Sequence, residues 1–212
     1  MPLETGKPSA RTRLLDAALS VVRAKGYTAT SVDELCAAAG VTKGAFFHHI
    51  KTKDDLAVAA AAHWSDTTGA LFKAAGYHDL SDPFDRILGY VALRKALLQG
   101  EVSEFTCLVG TMVQETYGTS PAIRDACRDS IAGHAATLED DIAAAMAARG
   151  LSGDWTPASL ALHTQAVLQG AFILAKATGS ADAAADTIDH LTRYLTLLFR
   201  PDASAATPPK GN

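Results

Sequence analysis

The stretch Val32–Leu56 reads VDELCAAAGVTKGAFFHHIKTKDDL, and its punctuation decides the fold. Ser31 stands just before it as a helix N-cap, and Glu34, three residues on, completes a capping box. Val32, Leu35, Ala38 and Ala39 then recur at helical spacing on one face. Gly40 ends this first helix, since a left-handed turn costs glycine nothing, and Val41 plugs the corner. Thr42 caps a second helix, Lys43 to His49, barely two turns long. So short a helix is unstable alone and must be held by a scaffold. Lys53-Asp-Asp-Leu opens a third helix at once. An alanine-rich helix, a glycine turn and a short second helix make a helix-turn-helix.

Working outward, Leu14, Leu15, Ala18, Leu19 and Val22 form the apolar stripe of a helix over Ala10–Lys25, closed by Gly26. The helix begun at Lys53 runs to about Ala74. Ser81 or Asp82 caps another from Pro83 to about Leu98, and further helices span 103–116, 122–149, 157–177 and 183–199. No run alternates with the period of a strand. The expectation is an all-α chain of about nine helices: a three-helix DNA-binding domain over 9–56, a helical bundle over 57–200, and a disordered tail over 201–212. Residues 1–8 have the composition of a disordered end.

From about Arg11 to Leu56, and above all in VTKGAFFHHIKTKDDL, the chain resembles the N-terminal domain of the TetR family of bacterial transcriptional regulators. The glycine turn, threonine cap, Lys-Gly, paired aromatics, histidine and Lys-Asp-Asp-Leu helix start all keep their spacing. The resemblance implies a homodimeric repressor, its operator a palindromic double-stranded DNA. The second helix enters the major groove. Lys43, Gly44 and Ala45 stand at that helix's N-terminal end, where base edges are met, and Ala45 offers a methyl to thymine. Thr42 caps it, and His48 and His49 supply donors. Lys53, Thr30 and Ser31 are expected at phosphates, at the starts of their helices. Phe47 stands where many members carry a tyrosine whose hydroxyl meets a phosphate. Phe46 and Ile50 are core.

The charge pattern agrees in sign. The chain carries −4 overall, yet residues 1–60 hold eight Lys/Arg against six Asp/Glu while 61–212 hold eleven against seventeen. Attraction for phosphate is confined to the N-terminal end. A hydrophobic content of 48% supports a buried core. No ~18-residue run is continuously apolar, and the first residues lack the apolar region of a signal peptide; the expected location is the cytoplasm. Cys36, Cys107 and Cys127 are odd in number and lack CxxC spacing, against a disulfide framework or a zinc site. No cofactor is implied.

The family resemblance also implies a small-molecule inducer bound among the later helices. Trp64, Phe72, Cys107, Thr111, Met112, Gln114, His134, Gln165, Gln169 and Phe172 supply the aromatic and sparse polar mixture such pockets use. Cys107 is a candidate electrophile or oxidant sensor, with Lys176 as the cation that would lower its pKa. Glu139-Asp140-Asp141 do not share a helix face and suit solvent better than a metal. The last two helices are apolar on two sides, which suits either a wide core contact or a core on one side and a second chain on the other; the resemblance implies the second chain, with Leu168 and Leu195 among the expected interface positions. A helical-bundle enzyme is the rival from another class, but the sequence contains no Walker loop, HExxH, GxSxG or Glu-x-x-His motif.

Overall fold

The computed structural model describes residues 8–200, all helix and connection. The expectations for residues 1–7 and for the tail 201–212 lie outside that range. Ser9 opens α1 (Ala10–Lys25) by accepting the Thr12 N–H, and Gly26, at φ 89°, closes it. The Ser31–Glu34 capping box starts α2 (Val32–Ala39), and Gly40 ends it in the left-handed region. Thr42 takes the Ala45 N–H to start α3 (Lys43–His49). Thr52 does the same for α4 (Lys53–Lys73), with Asp54 and Asp55 at the positive end of the helix dipole. Leu14, Leu35, Phe46 and Leu56 meet with essentially no exposure, each contributing about 1.5–3 kcal/mol by burial. They hold the two-turn α3 in place.

Beyond a short 3-10 turn over Gly76–Asp79 come α5 (Pro83–Ala96), α6 (Val102–Phe105), α7 (Leu108–Thr116), α8 (Pro121–Ala136), α9 (Glu139–Arg149), α10 (Pro157–Thr178) and α11 (Asp182–Leu198). The core of the first three helices runs on without a gap into Leu108, Met112, Ile123 and Cys127 of α7 and α8. A second core gathers Ile87, Tyr90, Ile142, Leu168, Ile188 and Leu195 among α5, α9, α10 and α11. By length and composition α10 is apolar enough to cross a membrane. Here its inner face, Leu160, Ala161, Leu168 and Ala175, is packed inside the bundle.

Two expectations fail in the same way, and eleven α-helical segments replace nine among the described residues. The helix expected over 103–116 breaks at Thr106 and Cys107, both extended; the Cys107 thiol accepts the Gly110 N–H at 3.4 Å and so caps α7. The helix expected over 122–149 breaks at Thr137 and Leu138. There the Thr137 hydroxyl donates to the His134 carbonyl at 2.7 Å, and i to i+3 bonds tighten the last turn of α8. The three acids 139–141 then occupy the first turn of α9, where a helix start favours negative charge.

The two-sided apolar helices are divided differently from the expectation. Leu168 and Leu195 are fully buried within their own chain, so neither is an interface residue. The outward apolar side chains are Leu162, Ile173 and Leu174 on α10 and Tyr194 and Leu197 on α11, each between 44% and 61% exposed.

Candidate DNA interface and ligand cavity

The outer face of α3 presents Lys43, Gly44, Phe47 and His48, all exposed, with His49 beside them. Phe46 turns inward and Phe47 outward, their rings meeting edge to face at 5.1 Å. Lys43 pairs with Asp33 on α2 at 2.8 Å, both strongly exposed, so the pair is loose. A Cβ on Gly44 would meet nothing closer than Thr42 Oγ1 at 3.9 Å. Nothing inside the chain demands a glycine there; its bare backbone faces outward. The hydroxyls of Ser31 and Thr42 are exposed and engaged as caps, and Ala45 is half-buried.

Two expected phosphate ligands are committed inward. The Thr30 hydroxyl is buried and donates to the Gly26 carbonyl at 2.6 Å. The Lys53 ammonium donates to the carbonyls of Tyr27 at 3.1 Å and Thr30 at 2.9 Å and lies over the Tyr27 ring at 4.2 Å. The Tyr27 carbonyl also accepts the Thr30 N–H at 3.1 Å, so the lysine adds a charged donor to a turn at the α1–α2 corner. The same corner receives Glu115 from α7, whose carboxylate accepts the N–H groups of Tyr27 at 3.1 Å and Thr28 at 2.7 Å. A Cβ on Gly26 would run into that carboxylate, which adds a packing reason to its positive φ. Tyr27 also donates its hydroxyl to Asp54, and Asp54 accepts from Ser120 at 3.0 Å.

A cavity of about 400 Å³ opens among α4, α5, α7, α8 and α10. Seven of the ten expected ligand residues line it: Trp64, Phe72, Cys107, His134, Gln165, Gln169 and Phe172. Met112 does not; it is fully buried in the core beneath the DNA-binding helices. Thr111 does not either; its hydroxyl donates to the Cys107 carbonyl and accepts from Lys176 at 2.6 Å. Lys176 is thereby held by Thr111 rather than by the thiol, and burial lowers its pKa. Gln114 turns back to the Gly110 carbonyl, outside the cavity. Gly110 leaves room for the Gln169 amide, which a Cβ would strike.

Two arginines in the wall escaped the sequence reading. Arg23, from α1, donates to the carbonyls of Leu19 at 2.8 Å and Glu104 at 2.7 Å and lies over Trp64 at 5.2 Å; burial holds its pKa below the ordinary value. Arg94, on α5, lies over Phe72 at 4.5 Å. Arg94 Nε and Gln165 Nε2 both donate to the Tyr90 oxygen, at 2.9 and 2.7 Å. With two donors received, the Tyr90 hydrogen turns to His134 Nε2 at 3.0 Å, which leaves the imidazole neutral with its proton on Nδ1. Burial, then the charge of Arg94, pushes the His134 pKa down to about 3. The one available signal was the i, i+4 spacing of Tyr90 and Arg94 on the helix that begins at Pro83.

A capped, outward-facing two-turn helix on a three-helix scaffold, joined to a bundle with a ligand-sized cavity, defines a helix-turn-helix DNA-binding regulator. Residues 14–60 match the model of bacterial regulatory proteins of the tetR family, and residues 83–191 that of the tetracyclin repressor-like C-terminal domain. The chain belongs to the TetR family; it is a transcription regulator and not an enzyme. It is 28% identical over 167 residues to the transcriptional regulator AcuR of Cereibacter sphaeroides, covering 77% of this chain and 74% of that one. The crystal structure of regulatory protein TetR from Rhodobacter sphaeroides superposes with a TM-score of 0.77 at 25% identity, over 87% of this chain and 98% of that one. The reduced form of E. coli NemR shares the fold, with a TM-score of 0.69 at 23% identity over 87% and 96% of the two chains.

Proposed function

We propose that this regulator is a cytoplasmic homodimeric repressor that leaves a palindromic operator when a small molecule fills the cavity. One observation carries the reading: the cavity wall and the DNA-binding corner are built on the same two helices, α1 and α7. Arg23 of α1 stands in the wall and ties α1 to Glu104, while Glu115 of α7 holds the α1–α2 corner. A ligand that favours a different spacing of α6 and α7 therefore acts on α1 directly, and differential affinity for the two spacings supplies the switch. On DNA, two α3 helices lie in successive major grooves about 34–36 Å apart. Lys43, Gly44 and Ala45 meet base edges, while Ser31, Thr42 and His48 or His49 meet phosphate. The second chain covers Leu162, Ile173, Leu174, Tyr194 and Leu197 on α10 and α11, and the domains divide near residue 57.

Selection from a randomised duplex pool, followed by footprinting, tests this. The expected product is one short palindrome with half-sites a helical turn apart. Recovery of unrelated sequences would overturn the operator reading.

A second reading is favoured by the place of Cys107: it lines the cavity at the head of α7, and its sulfur accepts a helix N-terminal N–H. An electrophile entering the cavity would meet it there. In that case Cys107→Ser stays on the operator under an alkylating reagent that releases the wild type, while Cys36→Ser and Cys127→Ser respond normally. Equal response of Cys107→Ser leaves the non-covalent reading alone.

A further inference from the structure

We propose that the cavity selects a small organic anion with an apolar body, and that Arg94 is the group that meets its charge. The inference rests on the cavity's being the regulatory ligand site, and goes beyond it in naming the chemistry. The neighbouring half-buried arginines Arg86 and Arg149 each hold an aspartate at 2.7 Å. Among the described residues no carboxylate is in ion-pair contact with Arg94. Its partners are all neutral: Tyr90 at 2.9 Å, Gln165 Oε1 at 3.4 Å, and beyond them an imidazole without charge. A guanidinium carries five N–H groups in a fixed fork, so most of the fork is without a protein acceptor while Arg94 lines the open cavity.

The rest of the wall supports the sign. Arg23 is a second positive charge, spent on two backbone carbonyls and so a link between helices rather than an anchor. The two acids at the wall are answered elsewhere and exposed: Glu104 accepts the Glu101 N–H at 2.7 Å, and Asp129 pairs with Arg128 at 2.9 Å. A cation would face two guanidiniums, with Asp129 already paired to Arg128 and Glu104 turned to the Glu101 N–H. Trp64 and Phe72 stand two turns apart on α4, roughly 12 Å along its axis, and with Phe172 they give the ligand an apolar bed that ends at Arg94. A carboxylate seated there would meet the fork end-on with an aromatic ring beneath it.

Displacement of the uncharged dye N-phenylnaphthylamine from the purified dimer, followed by fluorescence, tests the charge preference. Phenylbutyrate and phenylbutyramide serve as competitors of one shape that differ in charge. In the wild type the acid is expected to displace the dye at about 10- to 100-fold lower concentration than the amide, the worth of one charge-assisted contact. In Arg94→Met the dye still binds and the preference disappears; Arg94→Lys recovers part of it. Equal displacement by acid and amide in the wild type overturns the proposal, whether or not the variants fold. So does a preference that survives in Arg94→Met, or a dye that neither competitor displaces. Operator release is measured apart from this. If the acid preference holds but no acid releases DNA, the anion site stands and the regulatory role of the cavity fails.

Discussion

Lys53 shows how a residue's neighbours reassign it. Its place at a helix start suggests a phosphate contact, yet its ammonium holds the Tyr27 and Thr30 carbonyls. Lys53→Met is therefore expected to cost about 1–3 kcal/mol in denaturant unfolding, since two carbonyls lose a charged donor. The salt dependence of operator binding should be unchanged; a log–log slope shallower by about 0.9 per subunit would show a phosphate contact after all. His134, in the cavity wall as expected, is also a neutral acceptor of the Tyr90 hydroxyl. Its pKa falls to about 3 in the folded chain, against about 6.5 unfolded. Between these values the unfolded state binds the extra proton, so stability drops as pH falls below about 6.5, by up to about 1.4 kcal/mol per unit. In His134→Gln, thermal unfolding between pH 6.5 and 4.5 should lose that slope. An unaltered slope would mean the imidazole is not the group responsible.

At the scale of elements, α10 and α11 each present one apolar side to their own core and one to the outside. Leu197, at 61% exposed, and Leu162, at 54%, belong to the second. Leu162→Glu and Leu197→Glu should fold and run as monomers in light scattering with weakened operator binding, because the charge meets its symmetry mate. Leu168→Glu should instead lose thermal stability outright, by several kcal/mol, since its side chain has no exposure. A dimer that survives both surface substitutions would put the second chain elsewhere. The broken helices at 106–107 and 137–138 carry a related lesson. Periodicity continues through each break, because a cap supplied by a thiol or a threonine hydroxyl does not disturb the spacing of apolar residues.

Across the whole molecule, the cores of the DNA-binding helices and of α7–α8 are one continuous body. Glu115 is a polar bridge between them, holding the N–H groups of Tyr27 and Thr28, and Asp54 with Ser120 is a second. Glu115→Ala should leave dye binding in the cavity within about twofold and shrink the ligand's effect on operator affinity, since coupling is a free energy carried by such shared contacts. Gel-shift titrations with and without phenylbutyrate measure it. An undiminished ligand effect would show that the coupling does not run through Glu115.

The sequence by itself determined the three N-terminal helices, their caps and the outward face of α3. Every signal there is local: Ser31 with Glu34, Gly40 at φ 60°, Thr42 with the Ala45 N–H. Local signals survive folding because the groups they satisfy lie within one turn. It also gave Trp64, Phe72, Phe172, Gln165 and Gln169 of the cavity but not Phe105, since few side chains suit such a place. What only the tertiary structure decided is where charged and polar ends point. Lys53 turns to a corner 26 residues away in sequence, Arg94 reaches Gln165 across 71 residues, and Arg23 reaches Glu104 across 81. A long flexible side chain goes wherever an unsatisfied carbonyl or hydroxyl awaits it, and no spacing along the chain records that destination.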